Sequence, residues 1–215
     1  MSYEDARVAG FQRGGTAANT FQFMRTNSEQ EQIVAQGLPP YTEMTRRGLG
    51  WQGMTTAALA ALVVRPSTLG NLTLWNGEVG PTAKSYVVDR VFAFNLVSTA
   101  AQARHGIWLC SHPAGMAAPT ADITAIKSTN GKSAYTGLAR LDTAATVVDD
   151  GWFPWGTGFT KGAGGVLPMG VISVNVEGRL IVPPQCSLCL HTVASLVGDT
   201  TTMGASWFEE QLSIE

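Results

Sequence analysis

The chain has 215 residues, 45% of them hydrophobic and only 14% charged, against roughly 25% charged in an ordinary soluble domain. A net charge of −2 and a pI near 5.9 exclude the basic excess that advertises nucleic acid or an acidic membrane surface. Three cysteines, an odd number, exclude a closed disulfide framework, and the length allows a full core without staples.

The N-terminal "MSYEDARVAG" is acidic and polar where a signal peptide needs a cationic and then an apolar region. Synthesis and folding in a reducing cytosol are the expectation. "GMTTAALAALVV", residues 53–64, is the longest uncharged apolar stretch nearby. It is too short to span a bilayer, which takes about 20 apolar residues, so no membrane partner is expected.

Residues 1–55 hold 5 basic and 5 acidic side chains and little continuous apolar character. "NSEQEQIVAQG" predicts one short helix, with Ser28 as cap, Glu31 as capping-box partner and Gly37 as terminator. "LPPYTEMTRRGLGWQG" follows, with Pro39 and Pro40 and then Gly48, Gly50 and Gly53, residues that favour extended or loosened backbone. The expectation is an extended N-terminal arm, 1–55, containing a short helix and no core of its own. Such a segment orders on a partner and can then wrap a large surface. Its basic pair Arg46 and Arg47 and its anchors Phe21, Phe23 and Trp51 are candidate partner-binding residues.

From residue 56 to 215 the pattern is β. "LAALVV" and "NLTLWN" come first, then "SYVVDRVFAFNLVS", residues 85–98, the clearest strand. Its bulky set, Tyr86, Val88, Arg90, Phe92, Phe94 and Leu96, is predicted to face inward, with Arg90 as the exception needing a partner or an edge. "HGIWLCSH", a short "ATVVDDG", a long "GVISVNVEGRLIV", "CSLCLHTVASLV" and "MGASWFEEQLSI" complete the set. In the long one, Ile172, Val174 and Val176 face opposite to Ser173, Asn175 and Glu177. No segment after residue 65 has a convincing helical period. Turns rich in Gly, Pro, Asn and Asp separate about eight strands, which predicts an all-β, antiparallel sandwich of jelly-roll type. "GWFPWGTGFTKGAGGVLPMG" reads as a long patternless loop. Its Trp152, Phe153 and Trp155 either plug one end of the sandwich or contact a partner.

"QCSLCLHTVA", residues 185–194, holds a Cys-x-x-Cys. On a strand, residues three apart point to opposite faces, so Cys186 belongs with Leu188 and Leu190, and Cys189 with His191. Cys110 and His112 share a face in the same way. The four could form a Cys₂His₂ zinc site if their strands were adjacent; otherwise the cysteines are small buried hydrophobes. No Gly-x-Ser-x-Gly is present, and "NGKS" lacks the first P-loop glycine, its place taken by Ile126. Asp149 and Asp150 read as a turn. No residues assemble a nucleophile, base or cofactor site, so neither catalysis nor a cofactor is expected.

The blocks "SYVVDRVFAFNLVSTAAQARHGIWLCSHPAG", "VVDDGWFPWG" and "VNVEGRLIVPPQCSLCLHTVASLVG…GASWFEEQLSI" resemble small structural proteins of tailed bacteriophages, jelly-roll proteins that cement or decorate a capsid. The resemblance covers most of residues 56–215. It implies a non-enzymatic virion protein on the capsid surface, a homotrimer bound to the major capsid protein, its arm reaching over neighbouring subunits. The cysteines of the late strand depart from the plain aliphatic pattern of such proteins. The alternative is a glycan- or receptor-binding jelly roll using Trp152 and Trp155.

Overall fold

The computed structural model describes residues 6–7, 23–24 and 41–212, apart from 98–102, 114–117, 121–122, 124, 133, 149, 161–169 and 196. The helix expected at 27–37 lies outside the described residues. The chain divides between Thr42 and Glu43 into two compact units. In the first, β1 (Ala6–Arg7) pairs antiparallel with β2 (Phe23–Met24).

The second unit is an antiparallel β-sandwich. After a five-residue helix, α1 (Thr42–Arg46), come β3 (Gly50–Met54), β4 (Leu59–Ala60), β5 (Leu72–Asn76), β6 (Ser85–Val97) and β7 (Ala103–His112). Then follow β8 (Lys127–Ser128), β9 (Ala139–Asp142), β10 (Phe153–Thr160), β11 (Gly170–Val182), β12 (Ser187–Ala194) and β13 (Thr200–Glu210). One sheet runs β10-β7-β12-β5-β9 and the other β11-β6-β13-β3-β8, with β4 added on β13. The long strands β5, β6 and β7, and again β10 to β13, alternate between sheets, as the jelly-roll reading requires. Between the sheets lie Leu72, Leu74, Tyr86, Val88, Ile107, Leu109, Leu188, Leu190, Met203 and Trp207, all buried. Burial of such side chains at about 1.5–3 kcal/mol each is what offsets the entropy of ordering the strands.

The alternation predicted in β6 holds only for its first half. Opposite β13, Arg90 faces Ser206 and Val88 faces Trp207, so Asp89 is an extra residue. Opposite β11, the same residue meets a longer excursion between Asn175 and Leu180. One inserted residue reverses the side-chain parity. Tyr86 and Val88 point inward before it, Val91 and Ala93 after it. Arg90, Phe92 and Phe94 therefore face outward, contrary to expectation, and Arg90 needs no buried partner. The excursion on β11 places Glu177 and Gly178 at positive φ, 54° and 74°. Arg179 holds it, its Nε donating to the Val176 carbonyl and its guanidinium NH₂ to the Asn175 carbonyl, each at 3.0 Å.

Further segments differ from the sequence expectation: β8 and β9 were not expected, and "LAALVV" is a strand only over Leu59–Ala60. Residues 153–160, expected as loop, form β10 at a sheet edge, where Pro154 is tolerated. Gly156 and Gly158 also face inward, and a Cβ on either would strike Val174 or Ile172 of β11. Among its described residues "ATVVDDG" forms no strand of its own. Only Thr146 bridges, to Leu69. Finally, β3 sits inside the six-stranded sheet, paired to β13 and β8. That places 50–54 in the sandwich, not in the arm, and moves the boundary from 55/56 to 42/43.

Trp51 is the residue most affected. It is 7% exposed, lies opposite Trp207 and meets the Tyr135 ring edge-on at 4.8 Å. A side chain held in its own core is not an arm anchor. Trp51→Ala should cost about 3–5 kcal/mol in urea unfolding; a stability unchanged from wild type would put Trp51 back on the arm.

Candidate functional site

The zinc hypothesis needed β7 and β12 to be neighbours, and they are. Cys110 and Cys189 lie directly opposite one another across the pair. The parity argument also holds. Leu188 and Leu190 enter the inter-sheet core with Cys186 against it, while Cys189 faces the other way. The histidines, however, flank the cysteine pair on opposite sides. His112 faces Ser187 and His191 faces Trp108. These two rows are separated by four residues of β7, about 13 Å of strand. Ligands of one zinc sit within about 4 Å of each other, so the four residues do not converge. Among the described residues no group of three His, Cys, Asp or Glu is placed to hold a metal ion.

Packing, not ligation, explains the two cysteines. With Val147 and Trp152 they form a second buried cluster on the outer face of the five-stranded sheet, flanked by Trp108. The Thr73 hydroxyl donates to the Cys189 sulfur at 3.6 Å. His191 is buried beside this cluster, edge-on to Trp152 at 6.4 Å. Its Nδ1 donates to the Thr192 carbonyl at 2.8 Å. Burial lowers its pKa, and the carbonyl bond opposes that only in part. The loop that brings Val147 is tied down by its backbone N–H, which donates to the Thr68 carbonyl at 2.8 Å. This sheet's outer face is thus covered by the chain itself.

The aromatic group splits across the sheet. Trp152 goes outward into the cysteine cluster, 3% exposed. Phe153 and Trp155 go inward against the main core, their rings 5.7 Å apart. Arg179 then lies over the Trp155 ring at 5.4 Å. No stacking platform results.

Of the arm residues, Phe21 lies outside the described residues and Phe23 falls in β2. Arg46 and Arg47 are exposed, and Arg46 pairs with Glu43 at 2.7 Å.

Sequence reasoning missed a buried polar group at one end of the sandwich. Glu209, 2% exposed, accepts from the Tyr135 hydroxyl at 2.7 Å and from the Trp207 indole at 3.4 Å, with Lys84 Nζ at 3.7 Å. Tyr135 in turn accepts from the Ala139 N–H at 2.7 Å. Burial raises the Glu209 pKa from its ordinary value of 4.5, and the three donors oppose the rise without cancelling it. No motif marks this site, because Lys84 and Tyr135 lie in connecting segments far in the chain from Trp207 and Glu209 of β13.

The outer face of the six-stranded sheet is different. The register sets Val171, Phe94 and Thr202 in one row and Ser173, Phe92, Gly204 and Met54 in the next. Val171 is 61% exposed, Met54 44%, and both phenylalanines are half-buried. Phe92 lies on Gly204, where any Cβ would collide with its ring. The next row is polar: Asn175, Arg90, Ser206 and Gln52.

The chain matches no family model and no curated protein. No helix among the described residues is long and apolar enough to cross a membrane.

Two measurements check these assignments. Trp152→Ala should cost about 3–5 kcal/mol, whereas Trp152→Phe should stay within about 1 kcal/mol, since the ring and not the indole N–H fills the cluster. Comparable losses for both would contradict packing as its role. For Glu209, a raised native pKa means the folded state holds the proton more tightly than the unfolded one. Its contribution to stability is fully present below the unfolded value and is lost as pH rises through the native one. The unfolding free energy of wild type, relative to Glu209→Gln, should therefore fall as pH rises from 4.5; parallel pH curves would contradict it.

Proposed function

We propose that the protein is a non-enzymatic virion structural component that binds and stabilises an assembled phage capsid. The observation that carries this reading is the contrast between the two outer faces. One is covered by loops of the same chain. The other presents Val171, Phe94, Phe92 and Met54 as an apolar strip beside a polar row. Contiguous apolar surface of this kind marks an interaction site. The low charge of the chain and the resemblance to capsid-decorating proteins support the same reading. The partner is then the major capsid protein, and residues 1–42 supply the arm, with Phe21 and Phe23 as anchors. Trp51 is not part of it.

Stabilisation would follow from mass action. A protein that binds the closed shell better than free subunits shifts the balance toward the shell. The glycan-binding alternative gains no support from Trp152 or Trp155, whose rings pack within the chain.

The test uses shells assembled from a tailed-phage major capsid protein. The full chain should co-sediment with shells and bind unassembled subunits far less. Met54→Glu should weaken shell binding about tenfold or more, because it buries a charge in the apolar strip. A chain lacking residues 1–42 should also bind less; deletion to 55 is unsuitable because it removes β3. Equal binding by wild type, Met54→Glu and the truncated chain would refute the proposal.

A further inference from the structure

A sheet edge offers unpaired backbone groups, and proteins block such edges with short strands, charges, prolines or bulges. Apart from the two-residue β4, the sheet orders end on four strands: β10 and β9 in one sheet, β11 and β8 in the other. Three of them are blocked. β8 has two residues, and β9 has four, carrying Arg140 and Asp142. β10 carries Pro154 and a register shift just after it.

Among the described residues, nothing blocks the first half of the fourth edge. Gly170–Asn175 reads GVISVN, with no charge and no proline. Its pairing to β6 is regular over all six residues. Beyond it, Glu177 and Gly178 turn the strand out of register, and Arg179 donates to the Val176 carbonyl and to one lone pair of the Asn175 carbonyl, leaving the other open. The open stretch therefore has a defined end.

We propose that Gly170–Asn175 is the contact through which a second copy of this chain pairs, antiparallel, about a two-fold axis at Ser173. That register sets Ile172 opposite Val174 and Val171 opposite Asn175. Ile172 and Val174 both face the core side, Val171 and Asn175 both face outward. The two sheets would continue into one another with their faces matched. Self-pairing opposes no like charges, because the segment has none. The charged residues of the bulge, Glu177 and Arg179, fall outside the paired stretch. Pairing uses up the edge in both copies, so the contact closes at two chains and does not propagate. Val171, otherwise exposed, gains a neighbour. This inference does not depend on capsid binding.

The experiment is sedimentation equilibrium of the full-length chain. Wild type should have the mass of two chains. Ser173→Lys and Ser173→Glu should each weaken association at least about tenfold, since each puts like charges face to face at the axis. An equimolar mixture of the two should regain association, because lysine then meets glutamate. Val171→Lys gives a second, independent weakening. Ser173 and Val171 are exposed, so melting temperatures should match wild type. A wild-type mass of one chain, a three-fold assembly, or a mixture no tighter than either variant alone would overturn the proposal.

Discussion

The burial of Trp207 between the two sheets organises this molecule. Its strand, β13, runs through the middle of the six-stranded sheet, with β6 on one side and β3 on the other. Trp207 is fully buried, with Tyr86 at 6.3 Å and Trp51 opposite it in register. Placing so large a ring in the core fixes the parity of β13. The neighbours must then match it. β6 does so only by inserting Asp89, whose carboxylate accepts from the Ser206 hydroxyl at 3.3 Å on the outer face. The same parity puts Glu209, two residues after Trp207, inside as well. Its three donors are the response to a carboxyl group that the strand leaves no other place for.

The consequences reach the surface. Reversal at Asp89 brings Phe92 and Phe94 to the outside, where an uninterrupted strand would have hidden them. The opposite sheet meets no such conflict. Its late strand β12 is buried on both faces, by the inter-sheet core on one side and by Val147, Trp152 and the paired cysteines on the other. One outer face is thus finished within the chain, and on the other the described residues leave an apolar strip exposed. That asymmetry is the physical basis for reading the protein as part of an assembly.

Much of the sandwich was legible in the sequence where side chains alternate. β6, β7, β11 and β12 carry bulky apolar residues at alternate positions over much of their length, and the split of Cys186 from Cys189 followed from the same rule. β3 and β10 were not legible, because glycine takes inward positions beside their aromatic residues and breaks the bulky alternation. Gly53 sits against Leu141, and Gly156 and Gly158 sit against Val174 and Ile172, close approaches that a periodicity argument reads as blanks. The outward turn of Phe92 was hidden because a bulge depends on the partner strands. The candidate metal site was half legible. Which residues share a face is local, but which rows they occupy depends on the pairing of β7 with β12, set by the whole topology. The Glu209 group was invisible for the same reason, with Lys84, Tyr135 and Glu209 far apart in the chain.

The central claim is that this chain stabilises a shell it binds. The most direct measurement is the thermal disruption temperature of assembled shells across a titration with the full-length protein. The account predicts a rise that grows with protein concentration and levels off at saturation, because binding favours the closed state. A disruption temperature that stays constant at saturating protein would contradict it.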